Sequence, residues 1–446
     1  MSRWTRWWPA GLSARRSGLA RVVLANTSAR VAAIVGLAAA TIVVAQVGGP
    51  ADVGVYALLR MLPGLVGVLA VGGLPGALGY FLSEPRRSTP RLWPTLFAIL
   101  ACGSLLGVLV WLVVTPLLAS TFFPGDSTAT IGWAGATVAS QLLLTIGKTA
   151  LQGLQDRRGG DLVIAAEELA FLPCYVVPVA LGVQGTPALV VGLLLADLLV
   201  AVEAWRRVAR RTGWRPGARG VRHVGGPRAD LAREVLTYGV RGQVGGMITL
   251  LNLRLDFAVL GAMAGPAVLG TYAVASKYAE LLRLPGTALT WVCYPMLAGM
   301  RPDAASRQAR RLVVPALAAN VLAAAPFLLL AGPVTTLLYG HRFDGAVAPA
   351  RVLIAGMLLG SAAGVASGFL YGRGRPGLNS WALGLGLAVT VVLDLLLIPA
   401  YGVMGAAVAS TTTYLLADAT LVWLLLRVSE RTEDPTGEPS AVPAPT

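Results

Sequence analysis

Lysine is almost missing from this chain. It occurs only at Lys148 and Lys277, so nearly all of the 36 basic residues are arginine. Acidic residues are also few, at 21, and charged residues make up only 13% of 446 positions. A chain so poor in charge, 56% hydrophobic and with mean hydropathy +0.70, is not a soluble globular protein and belongs among polytopic membrane proteins. Histidine is confined to His223 and His341, each alone in a polar loop, and HExxH, Walker and nucleophile-elbow patterns are lacking. Zinc proteolysis, ATP hydrolysis and serine hydrolysis have no residues to carry them. Cys102, Cys174 and Cys293 lie in apolar segments at no common spacing, so they read as packing residues rather than a disulfide framework or metal site. No cofactor or metal is expected.

What the chain does have is apolar segments of bilayer length. A hydrocarbon core needs about 20 apolar residues as helix. That ruler gives twelve segments, at 22–47, 54–83, 92–118, 127–155, 161–184, 186–206, 231–263, 266–298, 311–338, 344–371, 377–398 and 403–427. Arginine placement orients them. Alternate loops carry Arg86, Arg87 and Arg91; Arg157 and Arg158; a run from Arg206 to Arg233; Arg301, Arg307, Arg310 and Arg311; and Arg373 and Arg375, whereas the opposite loops hold essentially only Arg342. Both termini are therefore expected in the cytoplasm. The formal net charge of +15 sits mostly between apolar segments, which fits membrane lipid headgroups as partners and not nucleic acid.

Five regions follow. Residues 1–21, with Trp4, Trp7 and Trp8 among arginines, read as a cytoplasmic basic interfacial segment. Residues 22–206 form an N-terminal six-helix lobe, 207–230 an Arg/Gly-rich cytoplasmic linker, 231–428 a C-terminal six-helix lobe, and 429–446 a Pro-rich, acidic, disordered tail. The lobes are related by a repeat. "GGPADVGVYALL" and "AGPAVLGTYAVA" match at Gly49/Gly265, Pro50/Pro266, Ala51/Ala267, Gly54/Gly270, Tyr56/Tyr272 and Ala57/Ala273, all offset by 216. The same offset pairs Ala150, Leu154, Arg157 and Leu162 with Ala366, Leu370, Arg373 and Leu378. Six helices return the chain to the same side, so the repeats are parallel.

"NLRLDFAVLGAMAGPAVLGTYAVASKYAELLRLP" resembles the seventh and eighth helices of Wzx-like and MATE-like proteins of the multidrug/oligosaccharidyl-lipid/polysaccharide exporter superfamily. The stretch with Tyr339, Gly340 and Phe343, the turn Gly374-Arg375-Pro376 and "LIPAYGVMGAA" resemble their helices ten to twelve, and the likeness covers about 22–428. The resemblance implies an all-α polytopic membrane protein with about twelve transmembrane helices in two pseudo-symmetric six-helix lobes around a central cavity. It implies flipping of a polyprenyl-diphosphate-linked oligosaccharide across a bacterial plasma membrane. A cation gradient or membrane potential would then drive release, with a polysaccharide polymerase or glycosyltransferases as expected pathway partners.

Ionisable residues inside a membrane are costly and mark pathways. Lys277, Glu280 and Arg283 recur every third residue along helix eight and form a slowly rotating stripe, with Pro285 after them to bend the helix. Arg60 in helix two precedes Pro63 and is one residue off the repeat position of Lys277. Helix seven adds Arg241, Arg254 and Asp256, the last two pointing to different sides of a regular helix. Two readings fit. These cations bind a diphosphate, with Glu280 tempering them; or Lys277 and Glu280 neutralise one another in a packed bundle while Arg283 snorkels. Arg30 reads as lining the entrance or binding headgroups. Asp197 and Asp418, both within "LLAD", are ion-coupling or hydrogen-bonding candidates. Lys148, Glu167, Glu168 and Glu203 sit near inner helix ends and Arg351 and Asp394 near outer ones, where solvation or pairing accounts for them.

Other classes have less support. A drug/cation antiporter needs acidic and aromatic cavity walls, whereas cations outnumber acids in the candidate helices. A membrane-embedded enzyme of the same pathway needs a large outer loop or an acidic motif, and loops on that side are about ten residues or fewer. The chain is not expected to be an enzyme.

Overall fold

The protein is described from a computed structural model over residues 13–83, 92–213 and 227–433, with side chains described over 28–83, 92–213, 227–241 and 254–430. Several expectations lie outside the described residues. They are the Trp4, Trp7 and Trp8 segment up to residue 12, the loop holding Arg86, Arg87 and Arg91, the linker over 214–226, and the tail from 434.

Every regular element in the described residues is helical. In order they are α1 (Ser13–Ala70), α2 (Leu74–Ser83), α3 (Leu92–Phe122), α4 (Thr128–Ala134), α5 (Ala136–Gly153), α6 (Arg157–Leu169), α7 (Phe171–Ala180) and α8 (Thr186–Thr212). Then come α9 (Ala229–Ala264), α10 (Pro266–Ala298), α11 (Pro302–Tyr339), a 3-10 turn (His341–Ala346), α12 (Val347–Gly356), α13 (Gly360–Gly372) and α14 (Pro376–Glu433). Eight stretches of the described residues are long and apolar enough to cross a membrane. Two of these, in α1 and α14, break at Gly49 and Gly402 and so contain two crossings each. Adding α9 and α10 gives twelve crossings. Lys277, Glu280 and Arg283 keep α10 out of the apolar set.

Breaks fall where sequence chemistry demands them. Gly49 (φ 78°) and Gly402 (φ 53°) adopt left-handed backbone that other residues avoid, and each interrupts helical hydrogen bonding. The second expected segment, 54–83, is divided by Gly72 and Gly73, both at positive φ, into the end of α1 and the separate α2. At the expected linker, α8 continues to Thr212 and stops at left-handed Gly213, with Arg210 and Arg211 complementing its carboxyl end.

The chain forms two compact units, Met1–Val44 with Leu59–Val244, and Ala45–Leu58 with Gly245–Thr446. In the first unit α5 packs on α8, α2 and α3. Fully buried Trp111 donates its indole N–H to Ile131 O at 2.7 Å, and Trp205 donates to Leu143 O at 2.9 Å, so neither large ring buries an unpaired donor. In the second unit the tightest pair is α10 against α13. Gly360, Gly364, Gly368 and Gly372 recur every fourth residue of α13 and form one flat face. A Cβ on Gly364 would run into the Gly286 backbone, and one on Gly368 would lie 2.9 Å from Thr290 O. Thr290 donates across this contact to Gly364 O at 3.1 Å, a close approach of the kind that small residues permit between membrane helices. α10 runs on through Pro285 as one helix.

Candidate functional site

The second unit gathers most of the expected charges. Along α10, Lys277 Nζ donates to Glu280 Oε2 at 2.8 Å, the i,i+3 neighbour that helical geometry offers. From α9, Arg254 Nη1 comes to 3.6 Å from Glu280 Oε1. Arg283 is within electrostatic reach of the same carboxylate, its guanidinium 5.1 Å from the Tyr414 ring centroid and close to Asp418. Three cations therefore reach Glu280, while Asp418 also faces Arg283 and Asp256 faces Arg254. Arg254, Glu280 and Arg283 line a cavity of about 200 Å³ with Asp256, Tyr272 and Tyr414, and Lys277 joins it through Glu280.

Asp256 lies on the wall of that cavity but is differently held. It is buried and accepts hydrogen bonds from Tyr272 Oη at 2.5 Å, Phe257 N at 2.9 Å and Ser410 Oγ at 3.3 Å. Arg254 and Asp256, expected on different sides of the helix, line the same cavity. The long arginine side chain passes over the Phe257 ring, 5.2 Å from its centroid, to reach Glu280, while the short carboxylate turns to Tyr272.

Asp394 stands within electrostatic reach of Asp256. It was expected near the outer surface with an ordinary environment, yet it is fully buried and, among the described residues, neither carboxylate oxygen has a hydrogen-bond partner. Nearby in the same helix, buried Thr390 donates to Thr413 at 3.0 Å. The available signal was a lone carboxylate inside "AVTVVLDLLLIPA", which depth alone made look peripheral. Asp418, a candidate for ion coupling, sits beside Arg283 and not with this pair.

In the first unit, Arg60 is clamped by Glu168 through two bonds of 2.6 Å, the bidentate geometry that suits guanidinium and carboxylate. Lys148 pairs with Glu167 at 2.5 Å. Asp197 is buried and accepts from Ser140 Oγ at 2.9 Å, with Arg60, Lys148 and Glu167 in electrostatic range. Glu167 and Glu168, expected to be snorkelling or paired helix-end charges, are half-buried partners of the two cations. Arg241 is exposed in another cleft, of about 420 Å³, with Asp230, Arg233, Glu234, Thr237 and Tyr238. At its edge a hydrogen bond from Arg228 holds the Asp230 carboxyl below its usual range, so that acid stays charged. Tyr238 stacks on Tyr80 at 4.2 Å. Arg30 is exposed on α1.

Among solved structures, the chain is similar to the lipid II flippase MurJ in an inward closed conformation, with TM-score 0.69 and 13% identity over 92% of this chain and 90% of that one. It is similar to an inward-facing MATE family multidrug resistance transporter of the MOP superfamily, with TM-score 0.70 and 13% identity over 93% and 99%. A point mutant of the Vibrio cholerae MATE transporter VcmN aligns with TM-score 0.57 and 16% identity over 94% and 98%. At these identities the likeness establishes the fold: an all-α, multi-pass membrane protein with about twelve helices in two lobes. Comparison with curated proteins gives no match. Residues 43–348, more than half of the chain, match the family described as polysaccharide biosynthesis protein, and the chain belongs to that family.

Proposed function

We propose that this chain flips a polyprenyl-diphosphate-linked oligosaccharide from the cytoplasmic to the outer leaflet of a bacterial plasma membrane, by alternating access. The observation that carries the reading is the convergence of Arg254, Lys277 and Arg283 on the single carboxylate of Glu280 beside a cavity. Membership of a polysaccharide biosynthesis family supplies the substrate class, and the flippase and transporter folds supply the activity.

The chemistry follows from the partners. Uncompensated cations in low dielectric are expensive, so Glu280 keeps the set partly neutral while no substrate is bound. A diphosphate brings more negative charge than one carboxylate and exchanges for Glu280 as the partner. Arginine offers paired N–H donors to phosphate oxygens and lysine a compact point charge. The prenyl chain stays in lipid, where its burial is already satisfied. The placement of arginine in alternate loops supports cytoplasmic termini.

Release needs a driving force, and Asp256 with Asp394 supplies a place for a monovalent coupling cation. Two buried carboxylates lie within electrostatic reach of one another, one of them accepting from Ser410, and Asp394 has no hydrogen-bond partner among the described residues. A polymerase or glycosyltransferases would act on the same lipid-linked sugar. No residue here is assigned a catalytic role.

The test is flipping of a labelled polyprenyl-diphosphate sugar in vesicles. Loss of flipping in Lys277→Ala and Arg283→Ala at normal folding supports the site; unchanged flipping in both removes it. A drug/cation antiporter is the second reading, favoured by the transporter fold and by Glu280 and Asp256 on the cavity wall. Proton-driven efflux of cationic dyes, without lipid flipping, would establish it instead.

A further inference from the structure

The cleft of about 420 Å³ in the first unit stands on one face of the first three turns of α9. Its lining residues, Asp230, Arg233, Glu234, Thr237, Tyr238 and Arg241, recur at steps of three and four, the spacing that keeps side chains on one side of a helix. The rest of the helix surface is taken up by packing. Val235 is fully buried, and Leu236 and Val240 reach Gly72 in the turn between α1 and α2. A Cβ on Gly239 would lie 2.8 Å from the carbonyl oxygens of Gly72 and Gly73, so α9 is pressed against that turn. Packing thus decides which face the cleft takes, and that face is polar.

Tyr238 stands where the two faces meet. Tyr80 of α2 stacks on its ring, and Phe81 meets both rings edge-on, at centroid distances of 5.3 Å to Tyr80 and 6.0 Å to Tyr238. Phe81 is buried and anchors the cluster, whereas Tyr238 stays 41% exposed and lines the cleft. The polar lining mixes both signs, two carboxylates with two guanidinium groups. Asp230 is bonded by Arg228, and no ion pair among the described residues engages Arg233, Glu234 or Arg241. An anionic headgroup here meets Glu234 and Asp230, and a cationic drug meets Arg233 and Arg241. A sugar suits both sets. Its hydroxyls accept from guanidinium and donate to carboxylate, while its ring C–H groups lie against a tyrosine.

We propose that this cleft is a sugar-binding subsite that takes the glycan portion of the lipid-linked substrate before it crosses the membrane. It lies where α9 leaves the arginine-rich segment read as cytoplasmic, the side from which that substrate arrives. The subsite deepens the flippase reading and rests on it. Tyr238 supplies the apolar surface and Glu234, Arg233 and Arg241 the flanking hydrogen bonds. Gly239 and the Tyr80–Phe81 pair hold them in place.

The test uses full-length protein in lipid nanodiscs, with Cys102, Cys174 and Cys293 replaced by alanine and Thr237→Cys as a maleimide-reactive reporter in the cleft. The probes competing with labelling are the polyprenyl-diphosphate sugar, the free sugar released from it by mild acid, and inorganic diphosphate. Both sugar-bearing probes are expected to slow labelling several-fold, and inorganic diphosphate to leave it unchanged. Tyr238→Ala should raise the free-sugar concentration for half protection several-fold. Glu234→Gln, at an exposed position, should do the same without touching the aromatic cluster. Protection by inorganic diphosphate, or none by free sugar, overturns the subsite. In vesicles, Glu234→Gln should raise the lipid-linked sugar concentration for half-maximal flipping and keep the maximal rate; an equal rise for polyprenyl diphosphate without sugar overturns it too. Free-sugar protection in a protein that flips no lipid-linked sugar would keep the subsite and remove the flippase reading.

Discussion

The two units handle their intramembrane charges in different ways. In the first, each of two cations has a carboxylate partner on a neighbouring helix, Arg60 with Glu168 and Lys148 with Glu167, and Asp197 lies in electrostatic range of both cations. In the second, Arg254, Lys277 and Arg283 crowd around Glu280, and Arg283 leans on Tyr414 and Asp418. Arg60 and Lys277 hold nearly equivalent repeat positions, so the difference arises from what the other helices bring to them. Glu168 on α6 meets Arg60, whereas α9 meets Lys277's partner with another cation. A matched pair has little left to offer a ligand. A shared carboxylate leaves cations that a better anion can take.

The largest effect should fall in the second unit. The double variant Lys277→Ala, Arg283→Ala is expected to lose flipping per folded molecule by about 100-fold or more, since two charge-assisted contacts are removed. In the first unit the order reverses. Glu168→Gln should cost about 1–3 kcal/mol, because it leaves the Arg60 guanidinium half-buried without its bidentate partner. Thermal unfolding should show the loss, and flipping per folded molecule should change little. The swap Arg60→Glu, Glu168→Arg is expected to recover most of that stability. A swap that recovers stability but abolishes flipping would make Arg60 a substrate ligand and break the contrast.

Asp394→Asn sharpens it differently. Flipping should lose its dependence on the coupling cation, read by replacing that cation in the vesicle buffer, with lipid-headgroup binding retained; unaltered dependence would remove Asp394 from coupling. The smallest effect is expected at Glu203, an i,i+4 partner of Arg207 on the open side of α8. Glu203→Gln should shift stability by only about 0.3–0.5 kcal/mol, seen as a barely displaced melting curve.

Much of the architecture was readable before any coordinates. Twelve apolar segments, their turns and the 216-residue repeat depend on local composition and on a bilayer's thickness, which act on each segment separately. Gly49 and Gly265 stood out as repeat partners because both precede proline, and both take the same backbone turn. Charges were a different matter. Glu168 read as a helix-end carboxylate, although it clamps a residue 108 positions away. Asp394 read as peripheral, although it is buried beside Asp256. Depth along one helix says nothing about what neighbouring helices present at that depth.

Membrane class, segment number, arginine sidedness and the candidate charges were thus written in composition and spacing, because transfer to a bilayer is set residue by residue. The pairing of Arg60, the gathering of three cations on Glu280 and the glycine contact of α10 with α13 needed the assembled helices. Each depends on distances between residues far apart in the chain, where helix packing brings some partners together and leaves others unmatched.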